Sequence, residues 1–246
     1  MSNYLIIGGT GAIGAEVARR LLAQGAYVHV TGRTKERVDV MTNEIGCEGS
    51  ELEASDFAAV TNLMERLQKA EGPITGVVNC AGSILLKPAH LTTQKDLEET
   101  LMANLHTAFA TVHGAGKVMS TKGGSVVLLS SAVALEGIAN HEAIAAAKAG
   151  VIGLMQAAAA TYADCNLRFN AVAPGLTDTP LSAKITGSEK ALKISREMHP
   201  LHRIGTPSDI ASAIVFMLDP SNSWITGQVL AVDGGLSRVK GTAKVD

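Results

Sequence analysis

Four glycines fall within seven residues, at Gly8, Gly9, Gly11 and Gly14, after an apolar run at residues 4–7 and before a segment with Ile13, Val17 and Leu21 on one helical face. That order reads as strand, tight turn, helix. Glycine suits the turn because the backbone there takes positive φ and a ligand can approach without a Cβ in its way. The helix directs its free N–H groups and the positive end of its dipole over the turn, and a pyrophosphate matches that demand best. Three registers fit the spacing: GxGxxG through Gly9, Gly11 and Gly14, GxxGxxG through Gly8, Gly11 and Gly14, and GxxxAxG through Gly8, Ala12 and Gly14. The turn alone is a weak signal, and the elements around it must supply the rest.

The next run, at residues 27–31, ends in Gly32, Arg33 and Thr34. An acidic residue here would hold the ribose 2′-hydroxyl of NAD and repel a 2′-phosphate, whereas an arginine can pair with that phosphate through two hydrogen bonds. NADP(H) is therefore favoured, with NAD(H) still open. Arg33, Lys35 and Arg37 also read as a solvated helix start. Asp56, followed by Phe57, could accept from an adenine amino group or cap the next helix. The fourth run ends in Asn79, Cys80, Ala81 and Gly82, small groups that let a backbone lie close to a cofactor. Cys80 reads as a small buried hydrophobe. Asn104 interrupts an apolar helical surface in LMANLHTAF, and a buried amide there joins a polar network or marks a kink.

These residues need a scaffold that brings strand ends together. With 246 residues, 46% of them hydrophobic, and 25 glycines, the chain suits one α/β domain around a buried parallel sheet. Strands are expected near residues 4–8, 27–31, 50–54, 75–80, 124–130, 166–172 and 228–232, with helices on both faces of a doubly wound sheet. In such sheets ligands bind beyond the carboxyl ends of the strands, where the winding reverses. The formal charge of −2 with no basic block gives no reason to expect nucleic acid. Three cysteines without metal-ligand or CxxC spacing suit a reduced thiol population, and no metal site is expected. The N-terminus enters a strand without a charged leader, and no 18-residue apolar run stands out, so the expectation is a cytoplasmic protein without a membrane segment.

The glycine turn, NCAG, VVLLSS, AAAKAG, NAVAPG at residues 170–175, RIGTPSDIA and ITGQVLAVDGG together resemble the short-chain dehydrogenase/reductases, in that family's order, from about residue 4 to 237. The resemblance implies a Rossmann-type fold and an oxidoreductase acting on a small molecule, most simply a ketone or 3-oxoacyl compound. Asn104, Ser131 and Lys148 look like three members of the family's catalytic Asn-Ser-Tyr-Lys set. Gly8, Thr10, Gly11, Ile13 and Gly14 resemble its pyrophosphate turn, although Ile7 and Ala12 stand where Thr and Gly are usual. Pro174, Gly175, Thr177 and Thr179 are similar to the loop that seats the nicotinamide carboxamide.

The departure is the tyrosine. Tyr-x-x-x-Lys counted back from Lys148 lands on Ile144, thirteen residues after Ser131 and so at the family's serine-to-tyrosine interval. Isoleucine has no proton to give. His141, seven residues before Lys148, stands at the offset where the family's enoyl-reductase branch keeps its tyrosine, and a histidine titrates near neutrality. Seven residues along a helix separate the Cα atoms by roughly 10 Å, so His141 would act through substrate or water rather than on Lys148. Reduction of an activated C=C bond and a non-catalytic NADP(H)-binding subunit are the alternatives.

Residues 176–200 carry the weakest periodicity and are expected to overhang the crevice as a substrate lid. His199 and His202 show no evident partner. The last helix and strand resemble those that pack against a second subunit in the family, which implies a homo-oligomer, a tetramer or dimer.

Overall fold

The computed structural model describes residues 2–240. Met1 and residues 241–246, part of the single domain expected over 1–246, lie outside the described residues. The chain runs β1 (Asn3–Ile7), α1 (Ala12–Ala23), β2 (Tyr27–Gly32), α2 (Lys35–Ile45), β3 (Glu48–Glu51), α3 (Phe57–Glu71), β4 (Gly76–Asn79), α4 (Gln94–Leu101), α5 (Thr107–Val118), β5 (Gly124–Leu129), α6 (Glu142–Thr161), β6 (Leu167–Pro174), α7 (Ala183–Thr186), α8 (Glu189–Met198), α9 (Pro207–Leu218) and β7 (Val229–Val232). Its seven strands lie in the order β3-β2-β1-β4-β5-β6-β7, and every neighbouring pair is parallel.

The inner strands of the sheet are buried on both faces because they are largely apolar on both. Every residue of β1 is buried. Leu5 and Ile7 join a core with α3, α5 and α6, while Tyr4 and Ile6 pack toward α1 and α9 on the other face. The winding reverses between β1 and β4, which pair directly from Tyr4↔Gly76 to Ile7↔Asn79. The ligand crevice belongs there, over the turns that follow these two strands.

Two expectations need correction. The third strand begins earlier than residues 50–54, because Glu48–Glu51 carries no apolar pattern and is defined only by pairing with β2. The 20-residue α6 is apolar enough to span a membrane by length and composition, with mean hydropathy 1.5, so a long apolar segment does exist. It is nevertheless a core helix on one of its faces, with Ile144, Ala147, Lys148, Val151 and Met155 buried.

Candidate active site

The glycine turn is shaped by what surrounds it. Gly8 has φ +74°, and a Cβ there would lie 2.6 Å from the backbone nitrogen of Ala81, so the turns after β1 and β4 are in contact. A Cβ on Gly14 would meet the Cα of Gly9 at 2.7 Å, which brings α1 down onto the turn. Gly11 has room, its nearest neighbour being Gly8 O at 3.4 Å. A Cβ on Gly9 would meet Val30 Cβ at 2.7 Å, so packing demands glycine at Gly8, Gly9 and Gly14 but not at Gly11. Gly11 caps α1 in extended conformation without a side-chain bond, and no acidic residue stands in the first turn of that helix. The N–H groups of Ala12, Ile13 and Gly14 lead that helix, and Ile13 lines the cleft described below.

At the end of β2, Gly32 lies against the side chain of Thr10, where a Cβ would come within 2.6 Å of Thr10 Cγ2. Arg33 follows, exposed beside the glycine turn, with its charge felt at Glu53. Thr34 opens α2 with no side-chain cap. Asp56 caps α3, its Oδ1 accepting from the N–H groups of Ala58 and Ala59 at 2.8 and 3.0 Å. The ring of Phe57 stacks on Phe109 of α5 at 5.6 Å, so that side chain belongs to helix packing.

After β4, Asn79 is spent internally: its amide nitrogen donates to Thr111 Oγ1 at 3.0 Å and its Oδ1 accepts from Ala81 N–H at 2.8 Å. It shapes the turn that Gly8 touches. Burial pushes the Cys80 thiol up to about 12, which keeps it protonated. A Cβ on Gly82 would fall 2.9 Å from Asn104 Oδ1 and 3.5 Å from Lys148 Nζ, so glycine is what lets those two groups reach the same spot.

Asn104 resolves its two sequence readings by fulfilling both. It is buried within a π-helical turn, Met102–His106, that joins α4 to α5. Its Nδ2 donates to Thr100 O at 2.9 Å and Ser83 Oγ at 3.0 Å, and its Oδ1 accepts from Ser83 N–H at 3.3 Å. Lys148 enters from α6, buried, and its Nζ donates to Leu129 O at 2.8 Å. Loss of solvent holds its pKa down at about 8. Ser130 fixes the same helix by donating to Lys148 O at 2.9 Å. Ser131 follows β5, and its Oγ accepts only a long 3.4 Å bond from Val133 N–H.

His141 caps α6, with Nδ1 2.8 Å from Ala139 O, the arrangement of an N–H donor that leaves Nε2 as the other ring atom. Ile144 is buried in the same wall one turn before Lys148. Gly82, Asn104, Ser131, His141, Ile144 and Lys148 all line one cleft of about 270 Å³, as do Pro174, Gly175, Thr177 and Thr179. Thr177 Oγ1 donates to Gly175 O at 3.1 Å, and Thr179 forms a capping box with Ser182. The segment expected as a lid carries α7 and α8 rather than irregular loop, and α8 has no buried residue.

Sequence reasoning missed His199. It is 3% exposed, donates through Nδ1 to Ser195 O at 2.6 Å and accepts at Nε2 from Leu176 N–H at 3.3 Å. It also fills the space that a Cβ on Gly175 would need, 2.8 Å from its Nε2. Its partners are backbone groups, one four residues earlier on α8 and one 23 residues away after β6, which residue identities do not display.

The chain matches, over residues 8–237, the family model described as enoyl-(acyl carrier protein) reductase. It belongs to the short-chain dehydrogenase/reductase family. Within that family it is similar to 3-oxoacyl-[acyl-carrier-protein] reductase FabG of Thermotoga maritima, at 33% identity over 240 residues covering 94% of this chain and 96% of that protein. A short-chain type dehydrogenase/reductase from Mycobacterium ulcerans superposes with TM-score 0.93 at 29% identity, over 98% of this chain and 91% of that one. ElxO, solved with NADP bound, gives TM-score 0.89 at 30% identity, over 96% and 98%. As a short-chain dehydrogenase/reductase, the chain is of the oxidoreductase type.

Proposed function

We propose that this chain is an NADP(H)-dependent reductase of a carbonyl compound in which Ile144 occupies the place of the family's tyrosine. The observation that carries the reading is the buried Lys148 ammonium, held on Leu129 O and opening on the same cleft as Asn104 and Ser131. Similarity to 3-oxoacyl-[acyl-carrier-protein] reductases and to NADP-bound ElxO supports it.

The residues fit a dinucleotide. The crowded Gly8 and Gly14 bring backbone where side chains could not go, and the uncapped start of α1 offers N–H groups to a pyrophosphate. Arg33 would pair with a 2′-phosphate, and Pro174, Gly175, Thr177 and Thr179 would face the carboxamide. Bound nicotinamide would supply the hydride. Lys148 has two N–H groups beyond the one on Leu129 O, and these would hold ribose hydroxyls. Ser131 Oγ would donate to the substrate carbonyl oxygen. Ile144 can give no proton and instead presents an apolar wall. His141, its Nδ1–H held on Ala139 O, would in its imidazolium form deliver the second proton from Nε2 directly or through water and be left neutral.

A second reading, reduction of an activated C=C bond, draws on the same placement of His141 and on the enoyl-reductase description of the matching family model. The working form is proposed to be a homo-oligomer, since Trp224 is 99% exposed and Phe216 and Leu230 are exposed on α9 and the edge strand β7.

NADPH oxidation by the natural protein and by Ile144→Tyr, on one panel of ketones, 3-oxoacyl thioesters and enoyl thioesters, tests the function. Turnover by the natural protein is expected, with a gain of up to about 10²- to 10⁴-fold in the tyrosine variant on ketones. Turnover only by Ile144→Tyr would show instead that the natural chain binds without reacting.

A further inference from the structure

Three stretches of chain distant in sequence send large apolar side chains into the cleft: Ile84 and Leu86 after β4, Ile138 before α6, and Leu181, Ile185 and Met198 from the segment after β6. Four of them remain well exposed, Ile84 at 40%, Met198 at 42%, Leu86 at 43% and Leu181 at 55%. Single exposed apolar residues are ordinary in folded proteins. Convergence of this many on one concave wall marks a surface built to be covered by apolar matter.

Most polar groups of the same cleft are already committed, Ser131 Oγ and His141 Nε2 being the exceptions. Ser130 Oγ donates to Lys148 O at 2.9 Å, Thr177 Oγ1 to Gly175 O at 3.1 Å, and Ser182 Oγ to Thr177 O at 2.6 Å. Both ring nitrogens of His199 are engaged by backbone. No arginine lines the cleft among the described residues, and its one lysine, Lys148, is tied to Leu129 O. A sugar would leave hydroxyls unpaired against this wall, and a carboxylate or phosphate would find no lysine or arginine cation among the described lining residues besides Lys148, whose remaining N–H groups are assigned to the ribose.

From this wall we infer that the substrate is uncharged and carries an extended apolar portion beside one reducible polar group, as in an aliphatic or alicyclic ketone or enone. Keto acids and sugars fit this wall poorly. The inference rests on the oxidoreductase reading of the same cleft. The polar head of the substrate meets Ser131 and His141, and its apolar portion lies along Ile84, Leu86, Leu181 and Met198.

The test is isothermal titration of the protein at saturating NADP⁺, from which no hydride can pass to a ketone, with 2-alkanones from 2-butanone to 2-octanone and with ketones of equal length ending in carboxylate, beside NADPH oxidation on the same compounds. Affinity should rise about fourfold for each methylene buried. Each carboxylate should bind at least about tenfold more weakly than its neutral counterpart. Leu181→Lys should flatten the chain-length dependence without moving the unfolding midpoint, since that side chain is 55% exposed. No dependence on chain length, or a preference for the carboxylates, overturns the inference. Binding that rises with chain length without NADPH oxidation upholds the apolar site and removes the reductase reading; oxidation without that rise does the reverse.

Discussion

Lys148 Nζ donates to the carbonyl oxygen of Leu129 at 2.8 Å, so the ammonium is pinned by the last residue of β5 while Ser131 stands two residues further along the same strand end. One backbone carbonyl thereby sets the distance between the cation and the hydroxyl that share the cleft. The cation is buried and its pKa is lowered to about 8, so its charge is present below that pH and lost above it. NADPH affinity is therefore expected to fall by about 10- to 100-fold as pH rises through about 8, the size of a lost charge-assisted hydrogen bond. Lys148→Met should bind weakly at every pH and show no such inflection. A titration by quenching of NADPH fluorescence decides it, and an identical inflection in the variant would remove Lys148 from the cofactor site.

Arg33 follows a glycine that is packed on Thr10, which fixes the backbone and leaves the guanidinium exposed beside the turn. If it holds a 2′-phosphate, Arg33→Ala should weaken NADPH by about 10- to 100-fold while NADH changes less than about twofold. Dissociation constants for both cofactors give the answer. Equal losses would mean that the arginine serves the fold or the general field rather than the phosphate.

The sheet was legible because parallel strands buried on both faces must be continuously apolar, as in Tyr4–Ile7. Only β3 resisted, since an edge strand reading EGSE owes its form to β2 rather than to its own side chains. Within the candidate site, Lys148, Ser131 and Asn104 were legible by order and spacing and do share one cleft. Asp56 and Asn79 show what residue type leaves open: Asp56 Oδ1 caps its own helix, one of its two expected roles, and Asn79 Oδ1 holds its own turn. His199 was invisible because its partners, Leu176 N–H and Ser195 O, are backbone groups carried by any residue. The apolar wall from Ile84 to Met198 was equally hidden, since it exists only once three separate segments converge.

His29 offers a test of the fold independent of the site. It is buried in β2, its Nε2 lies 2.9 Å from Ser50 Oγ, and its Nδ1 has no hydrogen-bond partner. Burial, helped by the nearby Arg66 charge, lowers its pKa from 6.5 to about 4. The unfolded chain therefore takes up the proton first. The contribution of neutral His29 is full above pH 6.5, declines as pH falls toward 4, and levels off below that, a loss of about 3 kcal/mol. Urea unfolding of the natural protein and His29→Gln across this window should show a difference in stability that narrows as pH falls. A difference independent of pH would mean that the buried ring is not held neutral.

Gly8 and Gly11 separate what the turn needs for folding from what it needs for binding. Alanine at Gly8 must take φ +74° and place its methyl 2.6 Å from Ala81 N, backbone that cannot yield cheaply. Gly8→Ala should destabilise the fold by roughly 1–3 kcal/mol. Gly11 has φ −82° and its nearest neighbour at 3.4 Å, so a methyl is accommodated by the protein. The loss of a good N-cap and the lower entropy of the unfolded alanine chain oppose each other, leaving stability within about 1 kcal/mol. The same methyl would stand at the start of α1, where a pyrophosphate must come close to bare backbone. Gly11→Ala should therefore unfold like the natural protein while binding NADPH at least about tenfold more weakly. Unchanged affinity in a normally folded Gly11→Ala would show that the anion does not sit over this turn.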